Sequence, residues 1–165
     1  MSDVLLRAFT WVDIPAITAI YAHYVETSTV TFDTEAPTEP RMAEKFAHMV
    51  GLGHPVIVAE RAGQVLGYAY ASTYRPRPAY RFTCEDSLYL HKDAVGLGLG
   101  SDLLAELIIQ SQAFGFKQML AVITAGTQNS IALHTKFGFR HIGVHEALGL
   151  KFDKWLDIVH MQRAL

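Results

Sequence analysis

Three glycines alternate with leucines in Gly96-Leu97-Gly98-Leu99-Gly100, and Ser101 follows them. Before this run, Glu85-Asp86-Ser87-Leu88-Tyr89-Leu90 has the character of a strand. After it, Leu103, Leu104, Leu107, Ile108 and Phe114 recur at helical period as an inward stripe, and Gly115 ends the helix. A strand entering a helix through a turn of bare backbone is a narrow class of structure. The first N–H groups of a helix have no intrahelical partner. The helix dipole adds positive potential there, worth about 0.3–1 kcal/mol. Glycine lets an anion approach the main chain, because no Cβ stands in the way, and Ser101 adds a hydroxyl. The spacing is not that of a dinucleotide site, whose third glycine would fall at Ser101, and no acid ends the following strand near position 124. A Walker loop is excluded by the absence of a lysine in the turn. What remains is an anion cradle or a tight turn where helix meets strand.

The flanking elements narrow the fold. Residues 4–9 read as a strand, and Thr10 and Asp13 stand at capping-box spacing before a helix carrying Ile14, Ile17, Tyr21, Tyr24 and Val25. Residues 27–37 lose that period and read as a loop or short strand. Thr38 caps a second helix with Met42, Phe46, Met49 and Val50 on its apolar face, stopped by Gly51-Leu52-Gly53. Strands at 55–60 and 65–73 flank an Ala62-Gly63-Gln64 hairpin turn, and prolines break 74–79 before a long strand over 80–90. Residues 118–124 read as a buried strand, apolar on both faces as a parallel strand should be. A loop over 125–130, a short helix over 131–137 and two strands over 139–146 and 156–162 complete the order. Trp155 reads as a packed anchor of the last hairpin. The alternation implies a mixed α/β sheet with helices on both faces.

Length and charge exclude several classes. A chain of 165 residues suggests one domain spanning 1–165. A net charge of −2 argues against a nucleic-acid or anionic-membrane surface. Cys84 is the one cysteine, so no internal disulfide forms and a reducing compartment is expected. Asp3, Arg7 and Asp13 interrupt any secretory core, and no run of about 20 apolar residues spans a membrane. The expectation is a soluble cytoplasmic protein. Cys84 sits on the apolar strand face and reads as core. The histidines show no paired metal spacing, so no metal site is expected.

On the strand over 80–90, alternation puts Arg81, Thr83, Glu85, Ser87 and Tyr89 on one face. Asp86 falls among the apolar residues Phe82, Cys84, Leu88 and Leu90 on the other. Either Asp86 is buried with a partner, or the strand bulges at 85–87 and opens the sheet beside the glycine turn. A partly buried carboxylate there would have a raised pKa, which suits a base working near neutrality. Arg75 and Arg77, with Arg81, sit in a proline-stiffened loop before this strand. Their guanidinium forks suit carboxylate, phosphinate or sulfonyl oxygens, unless they are surface charge alone.

The segment EDSLYLHKDAVGLGLGSDLLAELI resembles the acetyl-CoA-binding core of the GCN5-related N-acetyltransferases. TVTFDTEAPT (29–38), YRPRPAYRFTCEDSLYL (74–90), SIALHTKFGF (130–139) and KFDKWLD (151–157) resemble the phosphinothricin acetyltransferase branch. The resemblance implies a mixed central sheet of about seven strands, splayed in the middle. It implies that Leu88, Tyr89 and Leu90 hydrogen-bond the pantetheine arm of acetyl-CoA as a pseudo-strand. Gly96, Leu97, Gly98, Leu99, Gly100 and Ser101 would hold the pyrophosphate. Glu85 stands at the position of the general base, and Asp86 is the second candidate. His134 takes the place where many relatives carry a tyrosine that protonates the departing thiolate, with water as the alternative. Ser130 caps its helix or touches the cofactor, and Lys136 matches a position near the cofactor. Val95 and Leu97 replace polar or basic residues of the family. Where relatives often carry Asn the chain has Thr127, with Asn129 two residues on, and either would face the cofactor. Arg75, Pro76, Arg77, Glu85, Asp86 and Ser87 would line the acceptor site, with Phe32 as its other wall. The implied acceptors are phosphinothricin, methionine sulfoximine or methionine sulfone, the use is detoxification, and the assembly is a homodimer. The competing classes are an acetyltransferase for polyamines or protein N-termini, and a non-catalytic acyl-CoA-binding module.

Overall fold

The computed structural model describes residues 4–165. Among these, seven strands form one sheet in the order β1-β2-β3-β4-β5-β7-β6. β1 (Leu5–Ala8), β2 (Val56–Arg61), β3 (Gln64–Thr73) and β4 (Thr83–Leu90) make an antiparallel half. β5 (Gln118–Thr124), β7 (Lys154–Ala164) and β6 (Arg140–Lys151) make a second antiparallel half. The halves join where β4 runs parallel to β5, over Thr83↔Gln118, Cys84↔Met119 and Glu85↔Leu120.

Helices cover both faces. α1 (Ile14–Thr27) and α2 (Glu39–Gly51) bury Ile17, Val25, Met42 and Phe46 against Val58, Tyr68 and Tyr70. α3 (Leu99–Phe114) buries Leu103, Leu104 and Leu107 on the other face, against Ile57, Ala69, Cys84 and Met119. α4 (Gln128–Lys136) packs beside it. Removing such apolar area from water, at about 25 cal/mol per Å², holds the halves to their helices. The capping box of Thr10 and Asp13 is present, and Arg7 clamps Asp13 at 2.7 Å.

Several sequence expectations change. No bulge interrupts β4: its register against β3 is continuous from Gly67↔Leu90 to Thr73↔Cys84. Asp86 instead takes the buried alternative, because a partner on α4 compensates it. β4 starts at Thr83, after a 3-10 turn at Pro78–Tyr80. α4 starts at Gln128 with Thr127 at its N-cap, so Ser130 lies within the helix. β6 and β7 run longer than expected and meet at Phe152 and Asp153, both left-handed at φ 50° and 56°. Trp155 is 67% exposed rather than packed, Phe114 is partly exposed, and so is Val122 of β5.

Candidate active site

After Glu85 the pairing of β4 with β5 stops. A cavity of about 660 Å³ occupies the opening. Its walls are β4 from Glu85 to Leu90, β5 from Ala121 to Thr124, the start of α4, and the loop residues Val30, Thr31 and Phe32.

Strand parity decides which main-chain groups face this gap. Phe82 O accepts from the N–H groups of Lys117 and Gln118 on the β5 side, whereas His91 N–H donates to Leu66 O on the β3 side. Even-numbered residues of β4 therefore turn their main chain toward β5. Beyond Glu85 there is no strand to receive it, so Leu88 and Leu90 present N–H and C=O groups to the cavity. Tyr89 lines the cavity, but its main chain faces Tyr68 of β3. Leu90 O accepts from the Tyr24 phenol at 2.7 Å. Tyr24 was legible in the sequence only as one of the apolar positions of α1, and nothing there signals its reach across the sheet.

The same parity separates the two carboxylates. Asp86 follows Cys84 onto the α3 and α4 side, while Glu85 points to the α1 and α2 side. Burial raises the Glu85 pKa, and the Asp86 charge adds to this while Lys45 opposes it. Cys84 is fully buried, and burial pushes its thiol up to about 12, so it is no nucleophile at neutral pH.

His134 is 5% exposed and Asp86 8% exposed. His134 Nδ1 lies 2.7 Å from Ser130 O, which can only accept, so Nδ1 carries a hydrogen. Nε2 lies 2.9 Å from Asp86 Oδ2, and a proton must stand between them. Burial disfavours an imidazolium, but the hydrogen bond and charge of Asp86 and the Ser130 carbonyl outweigh it, and the His134 pKa is raised. Below that raised pKa the pair is an imidazolium–carboxylate on the cavity wall. Asp86 Oδ1 is buried and without a partner among the described residues, a lone acceptor for a ligand N–H or a water.

At the other end of the cavity stands the glycine turn. Gly96 and Gly98 adopt φ 85° and 84°, a conformation that disfavours any side chain. Gly98 caps α3, and its carbonyl accepts from Ser101 and Asp102. The Leu99 and Gly100 N–H groups precede the first helical acceptor and point outward. Gly100 lines the cavity, and a Cβ there would meet protein only at ordinary contact, 3.5 Å from Leu133. Lys136 Nζ reaches Ser101 Oγ at 3.1 Å and brings a positive charge to a turn whose own Val95 and Leu97 are neutral and exposed.

Phe32, Glu85, Asp86, Ser87, Leu88, Tyr89, Leu90, Gly100, Thr127, Asn129, Ser130 and His134 thus meet around one cavity, and both Thr127 and Asn129 border it. Gly96, Leu97, Gly98, Leu99, Ser101 and Lys136 belong to the turn beside it. Arg75, Pro76 and Arg77 are exposed and do not line it. Arg75 stacks on Tyr74. Burial lowers the pKa of His160, and the charges of His145 and Arg75 add to this. His160 pairs with Val122, which alternation puts on the same face as Leu120 and its partner Glu85. The charge of Arg75 is therefore felt on the sheet face that carries Glu85. Among the described residues, no group of three or more His, Cys, Asp or Glu is placed to hold a metal ion.

A family model described as the acetyltransferase (GNAT) family matches residues 17–139. The chain is 47% identical to a phosphinothricin N-acetyltransferase of Alcaligenes faecalis over 154 residues, covering 93% of this chain and 78% of that protein. It is 39% identical to an L-methionine sulfoximine/L-methionine sulfone acetyltransferase of Pseudomonas aeruginosa over 152 residues, covering 91% and 88%. It superposes with a TM-score of 0.96 on a GNAT superfamily phosphinothricin acetyltransferase from Sinorhizobium meliloti, solved in complex with AcCoA. That match has 44% identity and covers 100% of this chain and 89% of that one.

Proposed function

Because the chain belongs to the acetyltransferase (GNAT) family and is an N-acetyltransferase, we propose that it transfers the acetyl group of acetyl-CoA to the amine of a small amino-acid analogue. Phosphinothricin, methionine sulfoximine and methionine sulfone are the acceptors in this reading. The observation that carries it is the parted sheet, with Glu85 at the fork and a glycine turn at the far end of the same cavity. The turn at residues 96–101 receives the diphosphate through its free N–H groups, among them those of Leu99 and Gly100, with the Ser101 hydroxyl and Lys136. The main chain of Leu88 and Leu90 receives the pantetheine amides, and the Asp86 Oδ1 acceptor suits a further N–H. Bound this way, the coenzyme supplies an acyl group activated as a thioester.

Glu85, its pKa raised by burial, takes the proton that the acceptor ammonium must lose before nitrogen can attack. Glu85 passes that proton to solvent; the carbon–nitrogen bond then forms, the carbon–sulfur bond breaks, and nitrogen sheds its second proton to the Glu85 carboxylate. The departing sulfur then takes a proton from the Asp86–His134 pair, whose one shared proton is renewed from solvent. Arg75, whose charge is felt by His160 on the Glu85 face, and neighbouring Arg77 favour an acceptor with an anionic or strongly polar end over a polyamine. We further propose that residues 1–165 act as one domain, in the cytoplasm, as a detoxifying enzyme. Two copies would associate through exposed apolar side chains of β6 and β7, among them Ile142, Val144, Leu150 and Trp155.

The test is thiol release from acetyl-CoA over a panel of amines, wild type against Glu85→Gln. The reading expects turnover with the amino-acid analogues and its near loss in the variant. Turnover confined to polyamines or peptide N-termini contradicts it.

A further inference from the structure

The loop that carries Phe32 has no regular structure of its own, yet three elements grip it. From β5, Thr124 Oγ1 donates to Thr29 O at 2.7 Å. From α1, Tyr21 OH lies 2.7 Å from Thr31 Oγ1 and donates to Asp33 Oδ2 at 2.6 Å. From β6, Lys151 Nζ donates to Thr31 O at 2.9 Å. Lys151 is 4% exposed, an unusual place for an ammonium. Burial lowers its pKa against the pull of the Asp33 charge. A buried cation whose hydrogen bond goes to a loop carbonyl costs desolvation that a solvated lysine would avoid. That cost makes sense if the loop position matters. The carbonyl of Thr31 and the nitrogen of Phe32 share one peptide plane, so a grip on the first fixes the second.

The Phe32 ring has a seat as well. It lies against the main chain of Gly149, where an added Cβ would stand 2.7 Å from Phe32 Cδ2, 2.9 Å from Cζ and closer still to Cε2. The register of β6 shifts between His145 and Gly149. Within that shift Ala147 is left-handed at φ 48°, and its N–H is pinned by Asp157 Oδ1 at 2.7 Å. The irregularity brings Gly149 under the ring, and neighbouring Leu148 onto the cavity wall.

We propose that Lys151 and Gly149 are positioning residues that fix how far Phe32 stands into the acceptor side of the cavity, and thereby set acceptor selectivity. Lys151 acts through Thr31 O, and Gly149 by leaving room for the ring. This rests on the acceptor reading above. Gly149→Ala must displace the ring, and Lys151→Met frees the peptide that carries it.

The experiment combines steady-state kinetics with proton NMR. Gly149→Ala and Lys151→Met should each raise the acceptor KM about tenfold, while the acetyl-CoA KM stays within about twofold. In a Phe32→Ala background Gly149→Ala should add nothing, because its target is gone. Equal effects on both substrates, or additive effects in the double variant, overturn the proposal. The NMR arm needs no acceptor. The Gly149 α-proton beneath the ring should resonate upfield, and the shift should collapse in Phe32→Ala and shrink in Lys151→Met. An unshifted proton in wild type contradicts the clamp itself. A wild type with the shift but no acetylation of any amino-acid analogue instead contradicts the acceptor reading, and the selectivity role with it.

Discussion

His134 Nε2 stands 2.9 Å from Asp86 Oδ2, and this contact joins α4 to β4 across the gap where the sheet parts. Asp86→Asn removes the charge that holds the imidazolium, and breaking a buried pair of this kind costs about 3–5 kcal/mol. The pH dependence has a definite sign. A folded-state pKa above the ordinary histidine value gives stability that is complete below that value and is lost as pH rises through the raised pKa of His134. Wild type should therefore lose part of its thermal stability as pH rises above the ordinary histidine value and through the raised one, and Asp86→Asn should show no such loss. Nitrogen-15 spectra of His134 check the cause: both ring nitrogens should stay protonated to a higher pH in wild type than in the variant.

Glu85 gives the opposite balance between stability and activity. Its pKa is raised mainly by burial, so keeping it ionised at neutral pH works against the fold. Glu85→Gln should lose about 10²–10⁴-fold in kcat/KM. The same variant should melt higher than wild type at neutral pH, and the gain should vanish as pH falls below the ordinary carboxylate range. Calorimetry across pH, beside the activity assay, measures both.

Gly98 is left-handed at φ 84°, and no protein atom lies near where its Cβ would be. Gly98→Val therefore acts through backbone strain, of about 1–3 kcal/mol, and by crowding whatever binds the turn. The expected result is a folded protein with weakened CoA binding by titration calorimetry. Lys136→Met should weaken CoA binding in a salt-dependent way, with the gap to wild type closing at high ionic strength.

Arg75 is exposed, and its charge is felt by His160 on the Glu85 face. Arg75→Ala should raise the KM of an anionic acceptor more than that of acetyl-CoA. Equal increases would assign the guanidinium to folding alone.

Features governed by local chemistry were legible in the sequence. The alternating glycines announced a turn of bare backbone before a helix, because no Cβ stands between the main chain and an anion. The parity of residues 83–90 put Glu85 and Asp86 on opposite faces. It also posed the question of the acid among apolar side chains. The answer lay 48 positions away in His134, a separation that no local pattern spans. A bulge was the local alternative, and the uninterrupted register against β3 rules it out. The Lys151 grip on Thr31 joins residues 120 apart and was equally invisible. The turn at Phe152 and Asp153 was hidden for a different reason: neither residue advertises two consecutive left-handed positions as Asn-Gly would. Trp155 misled because a large aromatic side chain usually signals a core, and here it is exposed on β7.

Amide spectra of the turn during a titration with CoA test the central claim most directly. The N–H resonances of Leu99 and Gly100 should move downfield in step with saturation, as main-chain donors closing on a diphosphate do. Saturable CoA binding that leaves those two signals where they began would put the coenzyme elsewhere and contradict the account.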